Sequence, residues 1–250
     1  MSPAEGLGGE QVEGRRAVRE LLVARRRAVR RLYVAEPGAP TDLVGMAVSA
    51  GVVVEKVTPE RLRALARTDA PQGVVARAAP VRPLSVEELA GTGSAGGAPF
   101  VVVLDGVTDP RNLGAVMRSA LGAGASGLVL GRHRSARLTP AAVKAAAGAA
   151  EYLPLALASG IPSALATLAA AGLWTVGLDA SAPTPLWELA VADQPVAIVL
   201  GSEGRGLSPL VRRRCQVVVS IPQVGPIPSL NVSAAAAVAC FEVARRRSAD

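Results

Sequence analysis

The sequence contains few of the residues that build metal sites and aromatic cores. Phe, Trp and Tyr together make up 2% of the chain, and there are two cysteines and one histidine. Cys215, Cys240 and His133 stand apart from one another, so their spacing excludes an ordinary zinc site and favours a reducing, cytoplasmic environment. We therefore expect no bound metal.

Long apolar segments are also missing. The longest runs, such as residues 234–240, are far too short to span a bilayer. Residues 1–5 show no basic region followed by an apolar one, so no signal peptide is evident. We expect a cytoplasmic protein that does not bind a membrane.

Aliphatic residues and arginine are abundant. Half of the 250 residues are hydrophobic and 19% are charged, a composition typical of a folded chain with an aliphatic core. The net charge is +7, the isoelectric point is about 10.6, and Lys56 and Lys144 are the only lysines. Because a GC-rich genome also favours arginine, the charge supports a nucleic-acid partner but leaves a merely solvated basic surface as the alternative.

A Gly/Ser-rich stretch divides the chain. Residues 91–99 read GTGSAGGAP, which is typical of a flexible linker, and residues 84–90 before it favour one helical turn. We predict a small α/β domain over residues 1–79, a linker over 80–98 and a larger α/β domain over 99–250. Such a linker would let the two domains fold separately.

Short strands and helices alternate in both blocks, which predicts an α/β fold. The continuous apolar runs of the second block are typical of strands covered on both faces, as in a parallel sheet. In the first block we predict helices over 11–24, 42–50 and from Pro59, with strands over 31–35, 52–57 and 73–78. In the second block we predict strands over 100–104, 127–130, 174–178, 196–200 and 217–221, with helices over 110–122, 140–147, 161–171 and 229–246.

Three polar segments follow predicted strands, where ligands bind in open α/β sheets. They are DGVTDPRNLGAVMRSA (105–120), IVLGSEGRGLS (198–208) and IPQVGPIPSLNVSAAAAV (221–238). Each also has a plain structural interpretation: a helix capped by Asp109, an ordinary glycine-rich loop, and a proline-rich loop ending in a helix cap. Residues 122–127, GAGASG, follow a helix and precede a strand, the reverse of a nucleotide-binding fingerprint, so we interpret them as a helix end.

In this order and spacing, the three segments resemble the signature motifs of the SpoU (TrmH-like) family of RNA ribose 2′-O-methyltransferases. The resemblance covers the chain from about residue 99 to its end. Residues 12–18, VEGRRAV, also resemble the substrate-binding domain at the front of the ribosomal subgroup, which modifies a guanosine of 23S rRNA.

The resemblance implies a SPOUT domain with a mostly parallel sheet and a C-terminal trefoil knot, which forms a homodimer. It also implies that S-adenosyl-L-methionine is the cofactor and RNA, most naturally 23S rRNA, the partner. Carried over by motif position, the cofactor-binding residues are Gly201, Ile221 and Leu230, and the residues associated with activity are Asn112, Arg118, Glu203, Ser229 and Asn231. The third motif departs from the family in having Gln223 where Met is usual and two prolines between residues 225 and 229.

Two residues are candidates for activating the ribose hydroxyl. Arg118 is the family's candidate for activating the hydroxyl, but an arginine pKa above about 12 makes its neutral form rare. Stabilising the developing alkoxide is the physically easier role for Arg118, and Glu203 is the alternative base.

Clustered arginines are the candidates for phosphate contact: Arg15, Arg16, Arg19, Arg111, Arg132 and Arg134. We expect the first block to bind RNA and the second block alone to keep the cofactor and the dimer. The alternatives are a tRNA 2′-O-methyltransferase or antibiotic-resistance rRNA methyltransferase of the same fold and, from another class, a non-catalytic RNA-binding protein.

Overall fold

The chain is organised around two β-sheets, each in its own compact unit. The computed structural model describes residues 6–92, 97–226 and 229–248. The first unit comprises residues 1–82 and 137–152, and the second comprises residues 83–136 and 153–250. No helix among the described residues is long and apolar enough to cross a membrane.

The first unit is a four-stranded sheet with helices. The strand order is β1-β4-β2-β3, in which β3 is parallel to β2 and the other pairs are antiparallel. The elements are β1 (Gln11–Glu13), α1 (Arg15–Ala24), β2 (Val29–Ala35), α2 (Thr41–Ser49), β3 (Val53–Val57), α3 (Pro59–Leu65) and β4 (Val74–Ala78).

Residues 11–24 were predicted to form one helix, and this prediction is wrong at its beginning. Residues Gln11–Glu13 pair with β4 and are fully buried, and Gly14 separates them from α1 with a φ of 92°. Gln11 Nε2 donates to Leu65 O at 2.9 Å and Glu13 accepts from the backbone N of Arg67 at 2.7 Å, whereas Gln11 Oε1 is buried without a hydrogen-bond partner among the described residues. Polar residues in a buried strand hide the strand pattern.

A later segment of the chain, residues 137–152, completes the first unit. An ion pair holds it there: Arg27 Nε and Nη2 donate to Glu151 Oε2 and Oε1 at 2.8 and 2.5 Å, and the two side chains are 8% and 2% exposed. Arg27 Nη1 also donates to the carbonyls of Gly9 and Ala79, each at 2.6 Å. The contribution of residues 137–152 to this unit had no signal in the sequence. The predicted boundaries at residues 79 and 99 stay a prediction.

The second unit is a six-stranded parallel sheet in the order β10-β8-β9-β5-β6-β7. Every residue of β5, β6 and β9 is buried, as expected for strands covered on both faces. The remaining elements of the chain are α4 (Val86–Ala90), β5 (Phe100–Leu104), α5 (Pro110–Gly122), β6 (Gly127–Gly131), α6 (Pro140–Ala146, in the first unit), β7 (Leu155–Ala158), α7 (Ile161–Ala170), β8 (Trp174–Leu178), β9 (Val196–Leu200), α8 (Pro209–Arg214), β10 (Val217–Val219) and α9 (Val232–Arg247).

Part of the stretch predicted as linker is packed against the second unit. Helix α4 begins with a capping box in which Ser85 and Glu88 bond each other's backbone N–H. Leu89 is fully buried and lies over Gly127, where a Cβ would be only 2.2 Å from Leu89 Cδ1. A side chain at residue 127 would therefore require Leu89 to move. Residues 93–96 of the predicted linker lie outside the described residues.

Candidate active site

The strand order brings the polar segments to one edge of the second unit's sheet. Strands β10, β8, β9 and β5 are neighbours and parallel, so their carboxyl ends lie side by side. The first motif follows β5, the second follows β9 and the third follows β10. The three motifs, which together span residues 105–238, therefore converge.

A cavity of about 560 Å³ lies between these loops. Its walls are the ends of β8 and β9, the loop after β9, and the segment leading into α9. All three predicted cofactor-binding residues line it: Gly201, Ile221 and Leu230. Ser229 lines it as well.

The loop after β9 needs glycine where it leaves the strand. A Cβ at Gly201 would lie 2.0 Å from the carbonyl carbon of Gly206 and 2.2 Å from Leu207 N. The loop folds back on itself because Ser202 N donates to Gly206 O at 3.0 Å and Gly206 N donates to Ser202 O at 2.9 Å. The first glycine of the motif is thus required because a side chain there would clash with the loop's own backbone. The loop turns its main chain towards the cavity.

One residue from each motif meets in a polar cluster at this cavity. Asn231 Nδ2 donates to Glu203 Oε1 at 2.8 Å and to Asn112 Oδ1 at 3.3 Å, and Asn112 Nδ2 donates to the same Glu203 oxygen. Asn112 is 8% exposed. Asn231 is itself fixed, because its Oδ1 accepts from Ser233 N at 2.8 Å and caps α9. The cluster orients the Glu203 carboxylate.

Two acidic residues that sequence reasoning did not select also shape the site. Asp179, directly after β8, accepts from the backbone N and the hydroxyl of Ser181 at 2.9 and 2.7 Å and from Arg212 Nε at 2.6 Å. The hydrogen bonds from Ser181, and then the pairing with Arg212, hold the pKa of Asp179 below its usual value. Asp105 accepts from Ser208 N at 2.8 Å and ties β5 to the loop before α8. Both follow a predicted strand, the signal that could have found them.

Arg118 is not part of this cluster. It lies exposed on α5 and does not line the cavity, and its side chain makes no hydrogen bond or ion pair with the described residues. The other predicted RNA-binding residues of the second unit, Arg111, Arg132 and Arg134, are exposed too.

In the first unit, Arg15, Arg16 and Arg19 are exposed on α1. Arg15 Nε donates to Gln72 O at 3.2 Å, and Arg19 forms an ion pair with Glu20 at 2.8 Å. The roles assigned to all these residues stay predictions.

Among the described residues there is no group of three or more His, Cys, Asp or Glu that could hold a metal ion.

Comparison with known proteins finds related sequences for both units. The sequence pattern of the SpoU rRNA Methylase family matches residues 99–241, and that of the RNA 2′-O ribose methyltransferase substrate-binding domain matches residues 11–84. An uncharacterized tRNA/rRNA methyltransferase of Mycobacterium sp. (strain KMS) is 41% identical over 95% of this chain and 77% of its own length.

Two further proteins carry more specific names. The 23S rRNA (guanosine-2′-O-)-methyltransferase RlmB of Ralstonia nicotianae is 40% identical over 83% of this chain and 82% of its own. The AdoMet-bound rRNA methyltransferase structure from Sinorhizobium meliloti is 26% identical and superposes with a TM-score of 0.79, covering 94% of this chain and 87% of that one.

Proposed function

Because the chain belongs to the SpoU rRNA methylase family, we propose that it transfers a methyl group from S-adenosyl-L-methionine to a ribose 2′-hydroxyl of RNA. The observation that carries this proposal is the cluster of Asn112, Glu203 and Asn231 beside the cavity. The name of the Ralstonia relative supports a guanosine of 23S rRNA as the target, and the AdoMet-bound Sinorhizobium structure supports the cofactor.

The cavity suits such a cofactor in size and chemistry. Small-molecule sites occupy about 300–1,000 Å³, and this cavity of about 560 Å³ falls within that range. Gly201, Ile221 and Leu230 would hold the cofactor through the backbone that lines the cavity. The cofactor supplies an electrophilic methyl group on a sulfonium when it is bound.

The protein's own task is to align the ribose oxygen, exclude water and accept the hydroxyl proton, and positioning alone can contribute about 7–11 kcal/mol. Glu203 suits proton acceptance. Its Oε1 is held by Asn112 and Asn231, whereas its Oε2 accepts no hydrogen bond from the described residues and stays available to a hydroxyl. Ser229, on the cavity wall, is suited to bind the ribose.

Arg118 fits this scheme through a second copy of the chain. Helices α5 and α9 pack together, and α9 leaves Val238 37% and Phe241 53% exposed on one face. An exposed apolar face of this kind favours a homodimer through α5 and α9. In such a dimer the partner's Arg118 would reach the cavity and stabilise the alkoxide.

The same family membership leads us to propose a trefoil knot in the segment that leads into α9, a cytoplasmic location, and RNA binding by the first unit. The exposed arginines of that unit, Arg15, Arg16 and Arg19, suit phosphate contact, as do Arg111, Arg132 and Arg134 of the second unit.

The test is methyl transfer from radiolabelled S-adenosyl-L-methionine to unmodified ribosomal RNA by the full chain, followed by mapping of the modified nucleotide. We expect one 2′-O-methylguanosine in 23S rRNA, and loss of incorporation in Glu203→Gln. Incorporation only into tRNA would move the chain to the tRNA-modifying enzymes, and binding of RNA without any transfer would refute the enzymatic proposal.

A further inference from the structure

The arginines of the first unit differ in whether an acidic residue forms an ion pair with them. Arg27 and Arg31 are ion-paired, to Glu151 and Glu55, as Arg19 is to Glu20. The side chains of Arg25 and Arg30 make no hydrogen bond or ion pair with any described residue. Among the described residues, the Arg26 side chain donates only to a neutral group, the carbonyl of Tyr152 at 3.0 Å, and its guanidinium lies 5.9 Å from the centre of the Tyr152 ring. Two arginines that form no ion pair with a described residue, Arg25 and Arg26, are thus neighbours just after α1.

A recess of about 430 Å³ opens at this place. Its apolar lining consists of Leu21 and Leu22 of α1 with Val29 and Val52. Ala28 and Ala50 also line it, and their small side chains leave space in the recess. Its polar lining is the run Arg25, Arg26 and Arg27. We call this place the arginine recess. It combines an apolar floor with the charges of Arg25 and Arg26, neither of which forms an ion pair with a described residue.

We propose that the arginine recess binds one unstacked base of single-stranded RNA, with Arg25 and Arg26 against the adjoining phosphates. The proposal rests on RNA being the substrate of this chain. A nucleobase has apolar faces that stack on guanidinium planes. The phosphates of the RNA backbone carry negative charge, which complements the positive charge of the arginines in the recess. A base within a duplex cannot leave its stack at no cost, so the recess favours single strands or loops over helices.

The test uses the full chain and two fluorescent probes, a single-stranded adenosine oligonucleotide of about a dozen nucleotides and an RNA duplex of the same length. Ala28→Trp fills the recess without altering charge. Base stacking contributes about 1–3 kcal/mol, so we expect affinity for the single strand to fall about tenfold and affinity for the duplex to stay unchanged. Val53→Trp is the matched control, because Val53 is exposed on β3 next to Val52 but does not line the recess.

Charge is tested separately. Arg25→Ala should reduce the slope of log affinity against log salt for the single strand by about 0.7, the value for one phosphate contact. Arg61→Ala, an exposed arginine of α3 outside the recess, should leave that slope unchanged.

Three results would overturn the proposal: unchanged single-strand affinity in Ala28→Trp, an equal loss in Val53→Trp, or an equal loss of duplex binding. Binding is read without methyl transfer, so this outcome is separate from that of the enzymatic proposal. A wild-type chain that binds the single strand through the recess but transfers no methyl group would refute only the latter.

Discussion

Replacing Gly201 by alanine tests whether the loop after β9 forms the cofactor site. The new Cβ would lie 2.0 Å from the carbonyl carbon of Gly206, so the loop must open. Opening breaks the two backbone hydrogen bonds between Ser202 and Gly206, of 3.0 and 2.9 Å. At about 1 kcal/mol for each bond, closing the loop around a ligand then costs about 2 kcal/mol, or about 30-fold in Kd.

Calorimetric titration of Gly201→Ala with S-adenosyl-L-methionine measures this loss, and circular dichroism checks that the variant is folded. We expect it to stay folded because β9 keeps its buried strand neighbours. Gly204→Ala is the matched control in the same loop. Its φ of 75° adds about 1 kcal/mol of strain, but its Cβ meets nothing within 4 Å, so its loss should be smaller. Wild-type affinity in Gly201→Ala, or a larger loss in Gly204→Ala, would refute the reasoning.

Three further predictions concern the same unit. Arg118→Ala should lower the methyl-transfer rate at least about 100-fold and leave cofactor affinity unchanged, since the proposed role of Arg118 is to stabilise the alkoxide and not to hold the cofactor; an equal loss of both, by kinetics and calorimetry, would contradict this. The carboxylate of Asp179 has a lowered pKa, so its stabilising effect is present at neutral pH and is lost as the pH falls through that value. The difference in unfolding free energy between wild type and Asp179→Asn should therefore shrink below about pH 4, and a constant difference would exclude the effect. Cofactor binding should be the same with and without EDTA in calorimetry, and chelator-sensitive binding would show that a metal takes part.

The sequence predicted the second unit well because its local signals agree. Continuous aliphatic runs marked β5 and β9 with their observed bounds, and Asp109 with Pro110 marked the start of α5. One strand and one α-helix of this unit were missed. The strand β7, Leu155–Ala158, reads LALA and has no β-branched residue, and α8, Pro209–Arg214, is too short to show a period.

The candidate site was predicted in its parts but not in its assembly. The motifs named Asn112, Glu203 and Asn231, yet their meeting depends on the order β10-β8-β9-β5, and no local pattern contains the strand order. The same limit hid Asp179, which belongs to no motif and enters the site because β8 lies between β10 and β9.

The second block alone was expected to keep the cofactor site, and the structure changes what a chain shortened to residues 98–250 should do. Residues 137–152 pack in the first unit, so the shortened chain loses their partners. Leu138 loses the backbone bonds to Leu7 and Gly9, each 2.8 Å, and Glu151 loses Arg27. The cavity residues lie elsewhere, in the second unit, so cofactor binding should survive at reduced stability.

Glu151→Gln tests whether the reduced stability comes from the missing Arg27 partner or from shortening the chain in general. In the full chain the variant leaves Arg27 buried without its partner, and breaking a buried ion pair costs about 3–5 kcal/mol of unfolding free energy. In the shortened chain Arg27 is absent, so the same change removes an unpaired carboxylate and should have no cost or be stabilising. Urea unfolding of both chains, each with and without Glu151→Gln, measures the two differences. Equal destabilisation in both chains would mean that Glu151 does not depend on Arg27, and that residues 137–152 belong with the second unit after all.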